Sequence, residues 1–348
     1  MSTLTEPTFE LPADLIAESP AEARGLARDE VRMLVASRST GELVDTTFRS
    51  LADHVRAGDL LLVNTSATVP AAVGTTDGRI VHFSTELPDG DGTRWVVEIR
   101  RPCGAGSLPD DTARPGDRVQ LDGGGALDLV GRFPEDAPPR LWVAVPHLLH
   151  SVLDYLARHG HPIRYGCTEL RWPIDDYQTA FGIEPGSAEM PSASRGFTPD
   201  LVTRLVTNGV GIAPITLHTG VSSQEAHEPP YAEWYRVPAA TAERVNAAHD
   251  AGHAVIAVGT TATRALETVA GADRRARPGE GWTDVVVTPA RGVQLVDGLL
   301  TGWHEPEASH LELLEAVAGR WLLDRSYAAA VELGYRWHEF GDLHLIVP

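Results

Sequence analysis

From residue 150 onward the apolar positions alternate between two rhythms. SVLDYLARHG (151–160) places apolar residues at helical spacing and stops on glycine. TPDLVTRLVTNG (198–209) repeats the pattern, with Thr198 as N-cap, Pro199 at the first helical position and Gly209 as C-cap. GIAPITLH (211–218) follows as a strand, PAATAERVNAAHDAGH (238–253) as a helix and AVIAV (254–258) as a short buried strand. TATRALETVA (261–270) reads as a helix and DVVVTP (284–289) as a strand. Helices at 308–319 and 325–333 precede a last strand, LHLIV (343–347).

The earlier chain has another texture. After the extended opening FELPADLIA come arginine-bearing helical or irregular segments, then a helix over LADHVRAG (51–58) ending at Gly58 and a buried strand LLLVN (60–64). Between residues 68 and 147, short runs rich in Val, Ile and Trp (VPAAV, RIVHFSTEL, RWVVEIRR, DRVQL, ALDLVGRF, RLWVAV) are separated by turn signals such as PDGDG (88–92) and DGGG (122–125). EDAPPR (135–140) is a polar turn. Close-set short strands predict a small antiparallel barrel or sandwich, and helix–strand alternation predicts an α/β layer with a mainly parallel sheet. The expected architecture is therefore a discontinuous α/β domain (1–67 and 148–348) with an inserted small antiparallel β-barrel (68–147).

Composition narrows the chemistry. The 348 residues carry 29 basic and 48 acidic side chains, a formal net charge of −19, and every basic residue is arginine. Without lysine there is no Schiff-base lysine, phosphate-loop lysine or Ser–Lys pair. The acidic balance opposes generic nucleic-acid binding unless arginines cluster locally. The two cysteines, Cys103 and Cys167, form no disulfide framework or thiolate zinc site. No run approaches the roughly 18 apolar residues of a membrane span, and the N-terminus lacks a signal-peptide pattern, so the expected location is cytoplasmic, with no membrane partner.

Four stretches could carry chemistry. In AVIAVGTTATRALE (254–267) a strand runs into Gly-Thr-Thr and a helix. Gly259 permits a tight turn, Thr260 or Thr261 can cap the helix or meet a ligand, and Arg264 can hold a carboxylate, with Glu267 on the same face. An ordinary capped helix with a surface Arg–Glu pair explains the same pattern. In PITLHTG (214–220), His218 at a strand end can act as acid or base, or pack beneath the next loop. Tyr177 and Gln178 in DDYQT, and His304 in GLLTGWHEP, are further polar candidates. The fourteen histidines form no metal-binding motif, and the nucleophile-elbow and dinucleotide fingerprints are absent.

Taken together, these blocks resemble the S-adenosylmethionine:tRNA ribosyltransferase-isomerase family of queuosine biosynthesis. The resemblance runs nearly the whole chain through FELPADLIA, GDLLLVNTSATVPA, DYQTAF, GSAEMPSASRGFT, GVGIAPITLHTG, AVGTTATRALE, LLTGWHEPEASHLELL and YRWHEFGDLHLI. It implies an α/β domain with an inserted β-barrel. It also implies transfer and isomerisation of the ribosyl group of S-adenosylmethionine, as co-substrate, to the aminomethyl group of a 7-deazaguanine in tRNA. Adenine and methionine leave, without metal or other cofactor. On this resemblance Gly259, Thr260, Thr261, Arg264 and Glu267 line the donor site, joined by Tyr177, Gln178, His218 and His304. His218 becomes the acid/base, with Arg264 orienting a carboxylate and Tyr177 beside them. Arg100, Arg101, Arg164, Arg171 and Arg195 are candidates for an RNA-facing patch.

The chain departs from the family motifs where an arginine gives way to Ala67, a histidine to Gly196 and an asparagine to Gly302. A histidine-rich loop is replaced by VSSQEAHEPPYAEWY (221–235), where His227 and Glu233 are the stand-ins. These departures keep open two alternatives: a donor-dependent transferase acting on a small molecule, and a non-catalytic protein holding an adenosyl ligand.

Overall fold

The computed structural model describes residues 9–87, 93–103, 106–135, 140–164, 172–221, 231–306 and 308–348. Cys167, Arg171, His227 and the turns at 88–92 and 136–139 lie outside them. Among the described residues, no helix is long and apolar enough to cross a membrane.

A nine-stranded sheet organises the molecule. Its spatial order is Gly279–Thr283, Glu233–Val237, Gly211–Leu217, Leu60–Asn64, Val255–Val258, Gly298–Gly302, Leu343–Val347, Arg32–Ser37 and Leu43–Thr47. The expectation of a mainly parallel sheet needs correction. Leu60–Asn64 pairs in parallel with Gly211–Leu217 and Val255–Val258, as do Val255–Val258 with Gly298–Gly302 and Arg32–Ser37 with Leu343–Val347. The other four pairings are antiparallel, two of them at one edge and one at the other.

The central strands are apolar throughout because both faces are covered. Leu62, Ala257 and Leu299 face one core, shared with helices Ala239–Asp250, Thr260–Thr268, His310–Ala318 and Arg320–Glu332. Leu61, Ile256, Val258 and Leu300 face the other, against Phe48, Phe197, Leu201 and Leu205. The two-residue side-chain period of a strand divides a continuous apolar run between the layers.

The chain leaves this sheet at Asn64, pairs Ser66–Thr68 with Glu184–Ser187, and builds a seven-stranded antiparallel sheet from 72–147. The ends of its two edge strands, Ala72–Gly74 and Arg118–Gln120, meet: Asp122 N donates to Gly74 O (2.9 Å) and Thr76 N to Gln120 O (3.1 Å). Val81, Phe83, Val97, Ile99, Leu127, Leu129 and Trp142 fill its core. Val152, Tyr155 and Leu156, beyond the expected limit at 147, pack into that same core.

Other differences are local. Phe48–Asp53 is a 3-10 helix, and the helix expected over 51–58 does not form. Residues 32–37 and 43–47, expected as helical or irregular, are strands. DVVVTP is not a strand; the edge strand is the preceding Gly279–Thr283. Asn208 is the C-cap of Pro199–Thr207, with Gly209 following at φ +82°. Cys103 is exposed.

Glu267 accounts for one rigid corner. Its buried carboxylate accepts the backbone N–H groups of Gln294 (2.9 Å), Leu295 (2.9 Å) and Val296 (3.2 Å) and pairs with Arg291 (3.0 Å). The alternative of a surface Arg264–Glu267 pair does not form, and Glu267, expected to line the donor site, is not in the lining of the cavity at the strand ends but fixes the approach to strand Gly298–Gly302. Glu267→Ala leaves those buried donors unpaired and is expected to cost about 3–5 kcal/mol in urea unfolding. A loss below 1 kcal/mol contradicts this assignment.

Candidate active site

A cavity of about 300 Å³ lies where the carboxyl ends of Gly211–Leu217, Val255–Val258 and Gly298–Gly302 meet the seven-stranded sheet. Val258–Thr261, Thr301–Glu305 and Thr219–Val221 form one side. Ser84, Thr85, Val96, Phe133 and Leu141 come from the other sheet. This is the position at which open α/β sheets bind ligands.

The turn at Gly259 has φ +95°, which a side chain would strain. Gly259 itself occupies the N-cap of helix Thr260–Thr268, and no side chain caps it. The expected capping by Thr260 or Thr261 is therefore not seen. Thr261 Oγ1 instead accepts from Asn64 Nδ2 (3.3 Å). The first-turn N–H groups of this helix are left at the cavity wall, where a helix start favours negative charge.

Arg264 also lines the cavity, but its guanidinium is engaged by the protein. It pairs with Glu233 and donates to Val285 O (3.1 Å), Tyr231 O (3.1 Å) and Thr283 O (3.3 Å). Glu233 Oε1 takes the Gly220 N–H (2.9 Å). Arg264 is thus a brace that presents Glu233 to the cavity, in place of the expected carboxylate clamp. Glu189, Glu305 and Glu339 add three more carboxylates to the lining.

His304 reaches the cavity as expected, and His310 joins it. Their rings stack with centroids 4.6 Å apart at 14°. His304 is fixed by Thr301 Oγ1 at Nε2 (3.0 Å), by the Tyr327 hydroxyl at its N–H (3.3 Å) and by Trp337 Nε1 at its carbonyl (3.0 Å). Burial holds the His304 imidazole well below its ordinary value. Burial, with Arg264 adding to it, brings His310 down to about 4. His338 pairs with Glu305 Oε1 (2.9 Å) from a left-handed backbone position, φ +74°, uncommon for a residue with a side chain. Glu305 is held below the usual carboxylate range by this hydrogen bond.

The structure does not bring the remaining candidates to the cavity wall. His218 stacks on Trp234 (5.0 Å, 19°), and burial depresses it to about 4. Its Nδ1 lies 2.8 Å from Ser66 Oγ, which lies 2.6 Å from Ser187 Oγ, itself the acceptor of the Thr219 N–H (3.0 Å). The assignment that uses every hydroxyl makes Ser187 donate to Ser66 and Ser66 donate to His218 Nδ1. The proton then sits on Nε2, and His218 supports the Thr219–Gly220 wall. Tyr177 is buried against Phe340 (5.3 Å). Gln178 pairs with the Thr68 backbone, donating from Nε2 to O (2.7 Å) and accepting from N (3.2 Å).

The departures from the family motifs differ in consequence. Gly196 backs onto Phe48, where a Cβ would stand 2.6 Å from the ring, and Ala67 lies in the strand pair with Glu184–Ser187. Gly302 alone of the three lines the cavity, and a Cβ there meets nothing within 4 Å. Of the arginines expected to form a patch, Arg100 is buried on Glu98 (2.5 Å), Arg195 is buried on Glu22 (2.9 Å), and exposed Arg101 faces Asp111 (3.0 Å). Sequence reasoning missed His310, Glu305 and His338, although EASH and WHEF carried the residue types. It also missed Phe133 and Tyr231, which read as ordinary strand and loop positions. Among the described residues, no group of three His, Cys, Asp or Glu could hold a metal ion.

The geometry is that of an α/β protein with a cavity at its strand ends, lined by both apolar and charged side chains and walled on one side by a second, antiparallel sheet. Residues 4–346 match the family described as "Queuosine biosynthesis protein", and the chain belongs to that family. The S-adenosylmethionine:tRNA ribosyltransferase-isomerase of Desulfitobacterium hafniense is 36% identical, over 97% of this chain and 98% of its own length. The protein of the same name from Symbiobacterium thermophilum is 34% identical, over 99% of both. The crystal structure of S-adenosylmethionine tRNA ribosyltransferase from Thermotoga maritima aligns with a TM-score of 0.53 and 25% identity, over 97% of this chain and 99% of that one.

The histidines whose basicity burial lowers have a consequence for stability. His218, His310 and buried His344, near 4, 4 and 3, all titrate below the ordinary 6.5. Their folded values are lowered, so below pH 6.5 the unfolded chain binds protons that the folded chain refuses. Stability is retained above about pH 7 and lost as pH falls from 6.5 toward 4. Each such group removes about 1.4 kcal/mol by pH 5.5. Urea midpoints measured from pH 8 to 5 are expected to fall, and His344→Phe to flatten the decline. A midpoint unchanged across that range contradicts the depressed values.

Proposed function

We propose that this protein is an S-adenosylmethionine:tRNA ribosyltransferase-isomerase whose reaction takes place in the cavity between the two sheets. Family membership and near-full-length relatives of that name support the activity. The observation that carries the location is the chemistry of the wall. An uncapped helix start stands beside Glu233, which is held in place by Arg264. The donor carries a sulfonium and an ammonium group as well as a carboxylate. Carboxylates of the lining complement the two cations, and the first-turn N–H groups of Thr260–Thr268 complement the anion. The architecture we infer is an α/β catalytic domain with the closed antiparallel sheet as an inserted module, working in the cytoplasm on tRNA.

The positive sulfur acidifies the neighbouring C5′ hydrogens, so proton removal starts the sequence. His310 replaces His218 as the acceptor of that proton. It is neutral at pH 7, lines the cavity and has no hydrogen bond at either ring nitrogen among the described residues. The proton moves to the imidazole and its electron pair stays on C5′, stabilised by sulfur. Over the whole sequence the C1′–N bond to adenine and the C5′–S bond to methionine break, each leaving group keeping the bonding pair, while the acceptor nitrogen bonds to the ribosyl carbon skeleton and gives up a proton. His304, stacked against His310, sets the angle of that ring.

A second reading, transfer to a small-molecule acceptor, is favoured by one observation. Three of the arginines expected to meet RNA, Arg100, Arg101 and Arg195, are paired with carboxylates, on a chain of net charge −19. Free adenine is the discriminating readout. Adenine released from S-adenosylmethionine only with tRNA bearing the aminomethyl-deazaguanine supports the first reading. Release without RNA, given a small amine, supports the second. Donor binding without adenine under either condition would establish the non-catalytic alternative. His310→Gln is expected to lower kcat by 10²–10⁴-fold, the usual contribution of a general base, while donor Kd changes little. Unchanged kcat removes His310 from the proton step.

A further inference from the structure

Phe133 and Tyr231 face the cavity with ring centroids 5.8 Å apart at 49°. Both are half-buried, and Pro134 and Glu135, which follow Phe133, are exposed, so the pair stands at the rim. Gly259 and Thr260, across the cavity, are buried at its floor. The two walls differ in charge. The floor side carries Glu233, Arg264 and the stacked His304 and His310. The antiparallel sheet contributes Ser84, Thr85, Val96, Phe133 and Leu141, and none of these is ionisable.

We propose that Phe133 and Tyr231 are the stacking platform for the acceptor's 7-deazaguanine ring, leaving the floor to the donor. The inference rests on the functional reading above and divides its two purine-like rings between the walls. The charged amino-acid arm of the donor requires the ionised floor. A neutral planar base gains more from an aromatic surface, and every base offers a π-face to one. An acceptor carried on a macromolecule must also enter from the rim, where the two rings stand. Tyr231 is held in place: its carbonyl accepts from Arg264 Nη2 (3.1 Å), and the Arg140 guanidinium lies 5.8 Å from its ring centroid. The brace that sets Glu233 at the floor thereby also sets the platform, which couples donor and acceptor geometry through one arginine.

The test compares wild type with Tyr231→Leu, Phe133→Leu and the conservative Tyr231→Phe. Two quantities are measured: S-adenosylmethionine Kd by calorimetry, and KM for an anticodon stem-loop RNA bearing the base, at saturating donor. Binding of free 7-aminomethyl-7-deazaguanine to each donor-loaded protein gives a readout independent of turnover. The leucine variants are expected to raise the RNA KM and weaken free-base binding by roughly 10- to 100-fold, with donor Kd within twofold and Tyr231→Phe near wild type. A donor Kd that weakens while the RNA KM and base affinity hold would assign the platform to adenine and overturn the proposal. So would leucine variants that match wild type in every measurement. Wild-type protein that binds the free base in a Tyr231-dependent way but releases no adenine with RNA would uphold the platform and refute the proposed activity.

Discussion

The site depends on one buried ion pair. Arg264, in the first turns after the Val255–Val258 strand, meets Glu233 on an edge strand and also holds the carbonyls of Tyr231, Thr283 and Val285. An unpaired charge at this depth would be costly, so the pair and its surrounding hydrogen bonds hold one another in a single arrangement. Through Glu233 the brace reaches Gly220, and through Tyr231 it reaches the opposite wall. The central helix, the sheet edge and the cavity rim thereby share one anchor.

That anchor explains how a strongly acidic protein can present a defined pocket to a cationic donor. Two lining carboxylates are individually restrained, Glu233 by Arg264 and the exposed Glu305 by His338, so their positions are set before a ligand arrives. The histidines beside them are neutral because burial disfavours their charge. They add hydrogen-bonding capacity without cancelling the negative field. Preorganised groups of this kind act on developing charge without first having to rearrange.

The central elements were legible because strands buried on both faces and capped helices leave strong local marks. AVIAV, LLLVN and TPDLVTRLVTNG fall within one or two residues of the observed elements. Residues 32–37 were missed because Arg32 and the following turn mask a strand paired on both sides, an arrangement only tertiary contacts reveal. DVVVTP has strand composition but no partner among the described strands, whereas the glycine-rich GEGWT pairs with Glu233–Val237. At the site, Gly259, Thr260, Thr261, Arg264 and His304 were placed correctly at the cavity, but the partner of Arg264 was not, since Glu233 lies 31 residues away in sequence. His218 lies outside the cavity lining, where the Ser66 hydroxyl engages its Nδ1, a contact with a residue 152 positions away that no local pattern reveals.

The most direct measurement of the central claim is a crystal structure with S-adenosylmethionine bound. The account predicts the donor between the two sheets, with its nucleoside at the Gly259–Thr261 turn and its sulfur within roughly 6 Å of a lining carboxylate. Donor density at any other site, with the cavity free of it at saturating concentration, would contradict the account.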